Sequence, residues 1–307
     1  MSQRPLPPAY RAYQVRIAAA GKVTRLGPVF GVVALVVLCF LILPDMVASI
    51  ILGGEALAGF RNGTTALGLT LQLASFGIPL AFLLHLIRRV HRRNVWSVAG
   101  PVGAVLSGFV ASALWVGGVL LAMQALPRWG VPDGTIMAKP VALWLLTLFP
   151  GLLALLIQTT AEEVFFRGYI QQMLAAYSPN RLIWLVLPNV AFGLIHFSSA
   201  TGAVDGALWV IFAAGLGLAC ADLTARHGTI GPAIGLHLAN NAFAFFAIGI
   251  AGRPQSGFAL YMLPYQDPSA FNGGLAQLVE PWAVTEILIS LVFVACLWLA
   301  ARIAIRR

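Results

Sequence analysis

Thr160-Ala-Glu-Glu-Val-Phe-Phe-Arg-Gly-Tyr169 places two adjacent carboxylates and a guanidinium inside an apolar run. Helix geometry sets residues four apart on one face, so Glu163 and Arg167 can pair in the favourable order. Glu162 then points about 100° away around the helix, with its carboxylate free for another partner. Ionisable groups at membrane depth cost several kcal/mol unless paired or solvated, which makes this stretch a functional candidate. A structural ion pair with a spare glutamate is the rival reading.

The surroundings of this stretch define the solvent. The chain has 307 residues, 60% of them hydrophobic and only 9% charged. Soluble domains run at about 45–50% apolar and about 25% charged. The apolar runs are continuous, unlike the short alternations of an outer-membrane barrel. The expected fold is all-α, a polytopic transmembrane helix bundle. Runs near 28–52, 64–87, 98–126, 141–177, 182–199, 205–226, 230–250 and 283–301 suggest about eight spans. Pro150-Gly151 should kink or break the fourth, leaving 141–149 as a short separate segment.

The net charge of +9 does not indicate nucleic acid, because the basic residues sit between apolar runs. They collect in the tail (Arg4, Arg11, Arg16, Lys22, Arg25), in Arg88-Arg89-Val90-His91-Arg92-Arg93, and at Arg181, Arg226, Arg302, Arg306 and Arg307. Arg167 falls on the same side, but too deep to be a secure loop charge. The other side keeps Arg61, Arg128, Lys139 and Arg253. This bias predicts N- and C-termini in the cytoplasm. Residues 1–26 read as a cytoplasmic basic tail and 27–307 as one transmembrane domain, with its catalytic core at about 150–250. The proline-rich loop 251–282, which includes Pro268 and Gly273, should partly cover the opposite face. Cys39, Cys220 and Cys296 lack disulfide or metal spacing and read as core residues.

Three more polar clusters interrupt the later runs. Phe192-Gly-Leu-Ile-His196 carries a histidine, with Ser198 and Ser199 just beyond it as ordinary helix-end residues. His237-Leu-Ala-Asn-Asn241 sets an imidazole and an amide one turn apart on one face. Asp222 and Arg226 form another i,i+4 pair, best read as structural. Interhelical hydrogen bonding would explain either histidine alone. At 1.5 Å per residue, however, Glu162, His196, His237 and Asn241 all lie about 16–22 Å from the turns on their own helices. That shared depth favours one site.

A glutamate, two histidines and an amide in a dry bundle suit water activation, with donors for an oxyanion. Glu162, His196 and His237 could instead be three zinc ligands with water as the fourth. There is no H-E-x-x-H and no G-x-S-x-G.

With these motifs in hand, the chain resembles the CPBP family, the CAAX protease and bacteriocin-processing group also called Abi. That family is similar in its membrane core to the type II prenyl endopeptidase Rce1. The family pattern E-E-x-x-x-R, F-x-x-x-H and H-x-x-x-N/D is met in order by Glu162–Arg167, Phe192–His196 and His237–Asn241. The resemblance implies a glutamate-type intramembrane endopeptidase. Glu162 would activate water, His196 would assist, His237 and Asn241 would hold the oxyanion, and Glu163 and Arg167 would brace the site. No cofactor is implied, zinc being the alternative. The implied partners are the lipid bilayer and a membrane-embedded or lipidated peptide substrate, with no nucleic acid. The expected location is a bacterial inner membrane. Related bacterial proteins are associated with peptide maturation, self-immunity to bacteriocins and protein sorting. A non-enzymatic immunity, scaffold or transport protein using the same pocket is the competing class. The oligomeric state stays open.

Overall fold

A computed structural model describes residues 6–21, 25–124, 134–197, 202–251, 253–264 and 274–306. Arg4, Lys22, Arg128, Ser198, Ser199, Pro268, Gly273 and Arg307 lie outside these residues. The chain is an all-α polytopic bundle, as its composition requires. In a bilayer every backbone polar group must be satisfied within the segment, and a helix does this.

Helix α1 (Arg11–Ala20) precedes α2 (Gly27–Ile51), α3 (Gly54–Asn62), α4 (Ala66–Ala74), α5 (Gly77–Val90) and α6 (Val102–Gln124). Next come α7 (Val141–Glu163), a π-helical turn at Val164–Ile170 and α8 (Gln171–Tyr177), which together make one continuous helix. A second π segment at Leu182–Val186 leads into α9 (Leu187–Leu194). The remaining helices are α10 (Ala203–His227), α11 (Gly231–Ala247) and α12 (Pro281–Ala304).

All eight expected apolar segments are helical, but they differ in length. Six are long and apolar enough to cross a membrane: 27–51, 66–90, 95–123, 141–177, 203–227 and 281–304. The helix over Leu182–Leu194 is shorter. At 1.5 Å per residue it reaches about 20 Å, against a hydrocarbon core of about 30 Å. Helix α11 has 17 residues and spans about 26 Å. The two shortened helices carry the two histidine motifs.

Pro150 does not break the fourth segment, contrary to expectation. It sits inside an intact α7. Neighbouring helices accommodate proline in membrane helices. Gly151 packs so tightly that a Cβ there would lie 2.6 Å from Phe246 Cζ. The irregularity comes later, in the π turn directly after the glutamate pair.

Close crossings set the positions of the site helices. Gly231 and Gly235 of α11 face α6, where a methyl at either would strike Val105 O or Phe109 O. Small residues of this kind let helix backbones approach. Gly228 ends α10 with φ 83°, and its N–H donates to Thr224 O at 2.9 Å. Glycine is the residue that takes this left-handed position without strain.

The segment read as a tail is folded onto the bundle in its described part. Tyr10, Tyr13 and Ile17 are buried beside Trp184 and Ala225. Tyr10 donates to Asp222 Oδ1 at 2.6 Å, while Arg226 Nε and Trp298 Nε1 donate to Asp222 Oδ2 at 2.6 and 2.8 Å. The Asp222–Arg226 pair is therefore a junction of the N-terminal segment, α10 and α12. The Arg16 guanidinium donates to the carbonyls of Val98 and Ala99. Of the three cysteines, Cys39 and Cys220 are buried as expected, while Cys296 is exposed on the outer face of α12.

At the opposite end, β1 (Ile136–Met137), β2 (Ile248–Ile250) and β3 (Tyr261–Leu263) form a small sheet in the order β1-β3-β2. It closes the end of the bundle where α7 begins and α11 ends. The described part of loop 251–282 thus covers that face.

Candidate active site

Polar groups from α7, its π turn, α9 and α11 meet inside the bundle. Glu163 is fully buried, and its Oε1 accepts from Arg167 Nη1 at 3.0 Å. The expected i,i+4 pair is present, even though the intervening residues belong to a π turn. The same Oε1 lies 2.8 Å from His237 Nδ1. Glu163 therefore joins its own helix to α11.

Glu162 points to the other side of His237. Its Oε2 lies 3.7 Å from His237 Nε2 and has no hydrogen-bond partner among the described residues. The Glu162 side chain is 12% exposed. One imidazole thus stands between the two carboxylates, bonded to one and open toward the other.

Asn241 lies one turn further along α11. Its Nδ2 donates to Gln158 Oε1 at 3.3 Å, and its Oδ1 accepts from Asn240 Nδ2 at 3.1 Å. Gln158 is buried one turn before Glu162. Sequence reading missed Gln158, although its spacing of four from Glu162 is a usable signal.

His196 follows the end of α9, and its side chain is exposed. Its Nδ1 is 2.7 Å from Phe192 O. A donor bond there leaves Nε2 as the free acceptor. The Phe192 ring lies 4.6 Å from the His196 ring and 6.0 Å from that of His237, so it is the shared neighbour of the two histidines. Arg167 also stacks over Phe192, at 4.5 Å from the ring centroid.

Asn189 is a second residue that sequence reading missed. It is buried on α9, accepts from Arg167 Nη2 at 3.0 Å and donates to Leu185 O at 2.5 Å. Gly217 of α10 makes room for this contact. A Cβ there would lie 2.7 Å from Arg167 Nη2 and 2.8 Å from Asn189 Oδ1. Asn189 precedes His196 by seven residues, a helical repeat that could have drawn attention to it.

The zinc alternative requires three converging ligands. Glu162 and His237 approach each other, but His196 is turned onto the Phe192 carbonyl. Among the described residues, no three His, Cys, Asp or Glu side chains gather as a ligand set. The side chains as they stand do not fit a tetrahedral zinc site.

Residues 141–243 match the family described as type II CAAX prenyl endopeptidase Rce1-like. The matched stretch begins with α7 and ends just beyond Asn241, so it contains every residue of the cluster. The chain is also similar to YyaK of Bacillus subtilis (strain 168), an uncharacterized protein. The two are 32% identical over 177 residues, which covers 55% of this chain and 56% of that protein. The chain thus spans little more than half the length of that relative. No solved structure matches the chain. Six helices long and apolar enough to cross a membrane, together with a family-matched core, make this an integral membrane protein.

Proposed function

From a core, residues 141–243, that matches the Rce1-like family, we propose an intramembrane endopeptidase in which Glu162 activates water. The observation that carries this reading is Glu162 Oε2, without a hydrogen-bond partner among the described residues and held 3.7 Å from an imidazole whose other nitrogen is fixed by Glu163. Two carboxylates against one guanidinium leave the cluster one positive charge short. His237 stands between the two carboxylates, bonded to one and 3.7 Å from the other. Glu162 serves as the base, and His237 Nε2 faces the same space as its carboxylate.

Attack proceeds on a peptide carbonyl lying between Glu162 and α11. Glu162 takes a proton from water, and the hydroxide adds to the carbonyl carbon. The negative charge that develops on oxygen is met by His237 Nε2–H and the free N–H of Asn241. His196, with Nε2 open, assists Glu162 in moving the proton to the leaving nitrogen as the oxyanion collapses to a carbonyl and the C–N bond breaks. Glu163, Arg167 and Asn189 keep His237 oriented. No metal enters this scheme.

The substrate class follows from the surroundings. A site between membrane helices receives a peptide that is itself in the bilayer or carries a lipid. The family description names a CAAX prenyl endopeptidase; the proposal for this chain is the wider class of membrane-associated or lipidated peptides. The termini are assigned to the cytoplasm from the distribution of arginines, and the membrane to a bacterial inner membrane.

The test is a comparison of membrane peptides from cells making wild type or Glu162→Gln. Intact forms of the substrate should accumulate in the variant, and purified wild type should cleave them. Identical peptide profiles, together with equal cleavage by both proteins, would remove the peptidase reading in favour of a binding role.

A further inference from the structure

The connection between α5 and α6 holds a second polar site, far in character from the first. Residues 91–94 join the two stretches long and apolar enough to cross a membrane, 66–90 and 95–123, so this turn and the first residues after it lie at headgroup level. They form one side of a cavity of about 710 Å³, lined by Arg88, Arg92, Arg93, Asn94, Val95 and Trp96. Arg88 and Arg92 are exposed, and Trp96 is 59% exposed beside them. Tryptophan at a membrane interface and arginine next to a span are each common, but here they line one cavity.

No described carboxylate neutralises these cations. None of the three arginines enters an ion pair among the described residues. Arg93 bonds to neutral groups, with Nη2 on Gln172 Oε1 at 2.8 Å and Nη1 on Met173 Sδ at 3.3 Å. Asp222, the described carboxylate at this end of the bundle, is already taken by Arg226, Tyr10 and Trp298. Arg16, buried nearby on the carbonyls of Val98 and Ala99, adds a further positive charge. A topology signal alone requires arginines on this side of the membrane; it does not require them to converge.

We propose that this cavity binds the phosphodiester headgroup of an anionic phospholipid from the surrounding bilayer and thereby steadies the helix that carries Glu162. Arginine forks match phosphate oxygens, and Trp96 lies where the glycerol and upper acyl carbons would be. The link to the helix is direct. Arg93 holds Gln172, His91 Nε2 lies 2.7 Å from the Tyr169 hydroxyl, and Gly168 packs against Val98 O. The loop that would hold the lipid is thus bonded to the π turn and to α8. This inference does not depend on which bond, if any, the Glu162 site cleaves.

Purified wild type and an Arg88→Gln/Arg92→Gln double variant would be compared for lipid retention by native mass spectrometry. Arg93, which supports Gln172, is left in place. Wild type should retain phosphatidylglycerol over phosphatidylcholine, and the double variant should bind it roughly thirtyfold more weakly, from about a factor of five per arginine. Amide exchange over 164–173 should slow when phosphatidylglycerol is added to wild type. Should the double variant fail to fold, quenching by brominated phosphatidylglycerol gives an independent reading. It should exceed quenching by brominated phosphatidylcholine in wild type, and that excess should vanish in Trp96→Phe. Equal retention of both lipids, unchanged binding in the double variant, or the same slowing of exchange by inorganic phosphate alone would overturn the proposal.

Discussion

His237 Nδ1 meets Glu163 Oε1 at 2.8 Å, so the second glutamate of the pair, not the first, ties α11 to the reactive helix. The two carboxylates should respond differently to neutral substitution. Glu162→Gln should lower the cleavage rate by about 10²–10⁴-fold, the usual contribution of a general base, with little change in thermal midpoint. Glu163→Gln should destabilise the fold by about 3–5 kcal/mol, because it leaves Arg167 buried without its counter-charge. Rate and unfolding midpoint measured on both variants would check this division, and equal loss of stability in the two would defeat it.

Asn189 should matter through Arg167. Asn189→Ala removes the acceptor of Arg167 Nη2 and should cost about 1–3 kcal/mol. Gly217→Ala reaches the same contact from another helix, since its methyl would fall on the Arg167–Asn189 bond. A double-mutant cycle on chemical or thermal unfolding should find the two changes non-additive. Simple additivity would mean that they act at separate places.

The three motifs were legible because each is a polar departure from an apolar helical pattern, at a depth that chain length alone predicts. Glu162, Glu163 and His237 meet at that depth, while His196 reaches them only through the shared Phe192 ring. The π turn was not legible, because a shift from i+4 to i+5 bonding depends on packing, here of Gly168 against Val98 O. The short α9 was hidden because residues 195–197 continue the run in sequence after the helix has stopped. Pro150 misled for the opposite reason, since a helix-breaking residue in water is tolerated among helices. Asn189 and Gln158 were passed over as single amides, whose partners come from elsewhere in the chain.

Tyr10 gives the N-terminal segment a pH dependence. Burial, and then its hydrogen bond to Asp222, push its hydroxyl from the ordinary value of 10.0 up to about 12. Folding thus favours the protonated phenol. The stability it contributes is complete below pH 10 and is lost as pH rises from about 10 to 12, because the unfolded chain gives up the proton first. Unfolding midpoints measured from pH 8 upward should fall less steeply in Tyr10→Phe than in wild type. Parallel profiles would show that the phenol is not held as described.

Gln158 and Asn241 supply a prediction at the oxyanion side. The Asn241 amide has two N–H donors, one of which is spent on Gln158 Oε1, while its oxygen accepts from Asn240. This arrangement leaves one donor free, aimed by the other contacts. Asn241→Ala should lower kcat by about 10²–10³-fold, as loss of an oxyanion donor does elsewhere. Gln158→Ala keeps that donor but releases its orientation, so kcat should fall less, by roughly tenfold, with KM unchanged. The ordering is the decisive readout. If Gln158→Ala costs as much as Asn241→Ala, or if either raises KM alone, Asn241 binds the substrate and does not stabilise the developing charge.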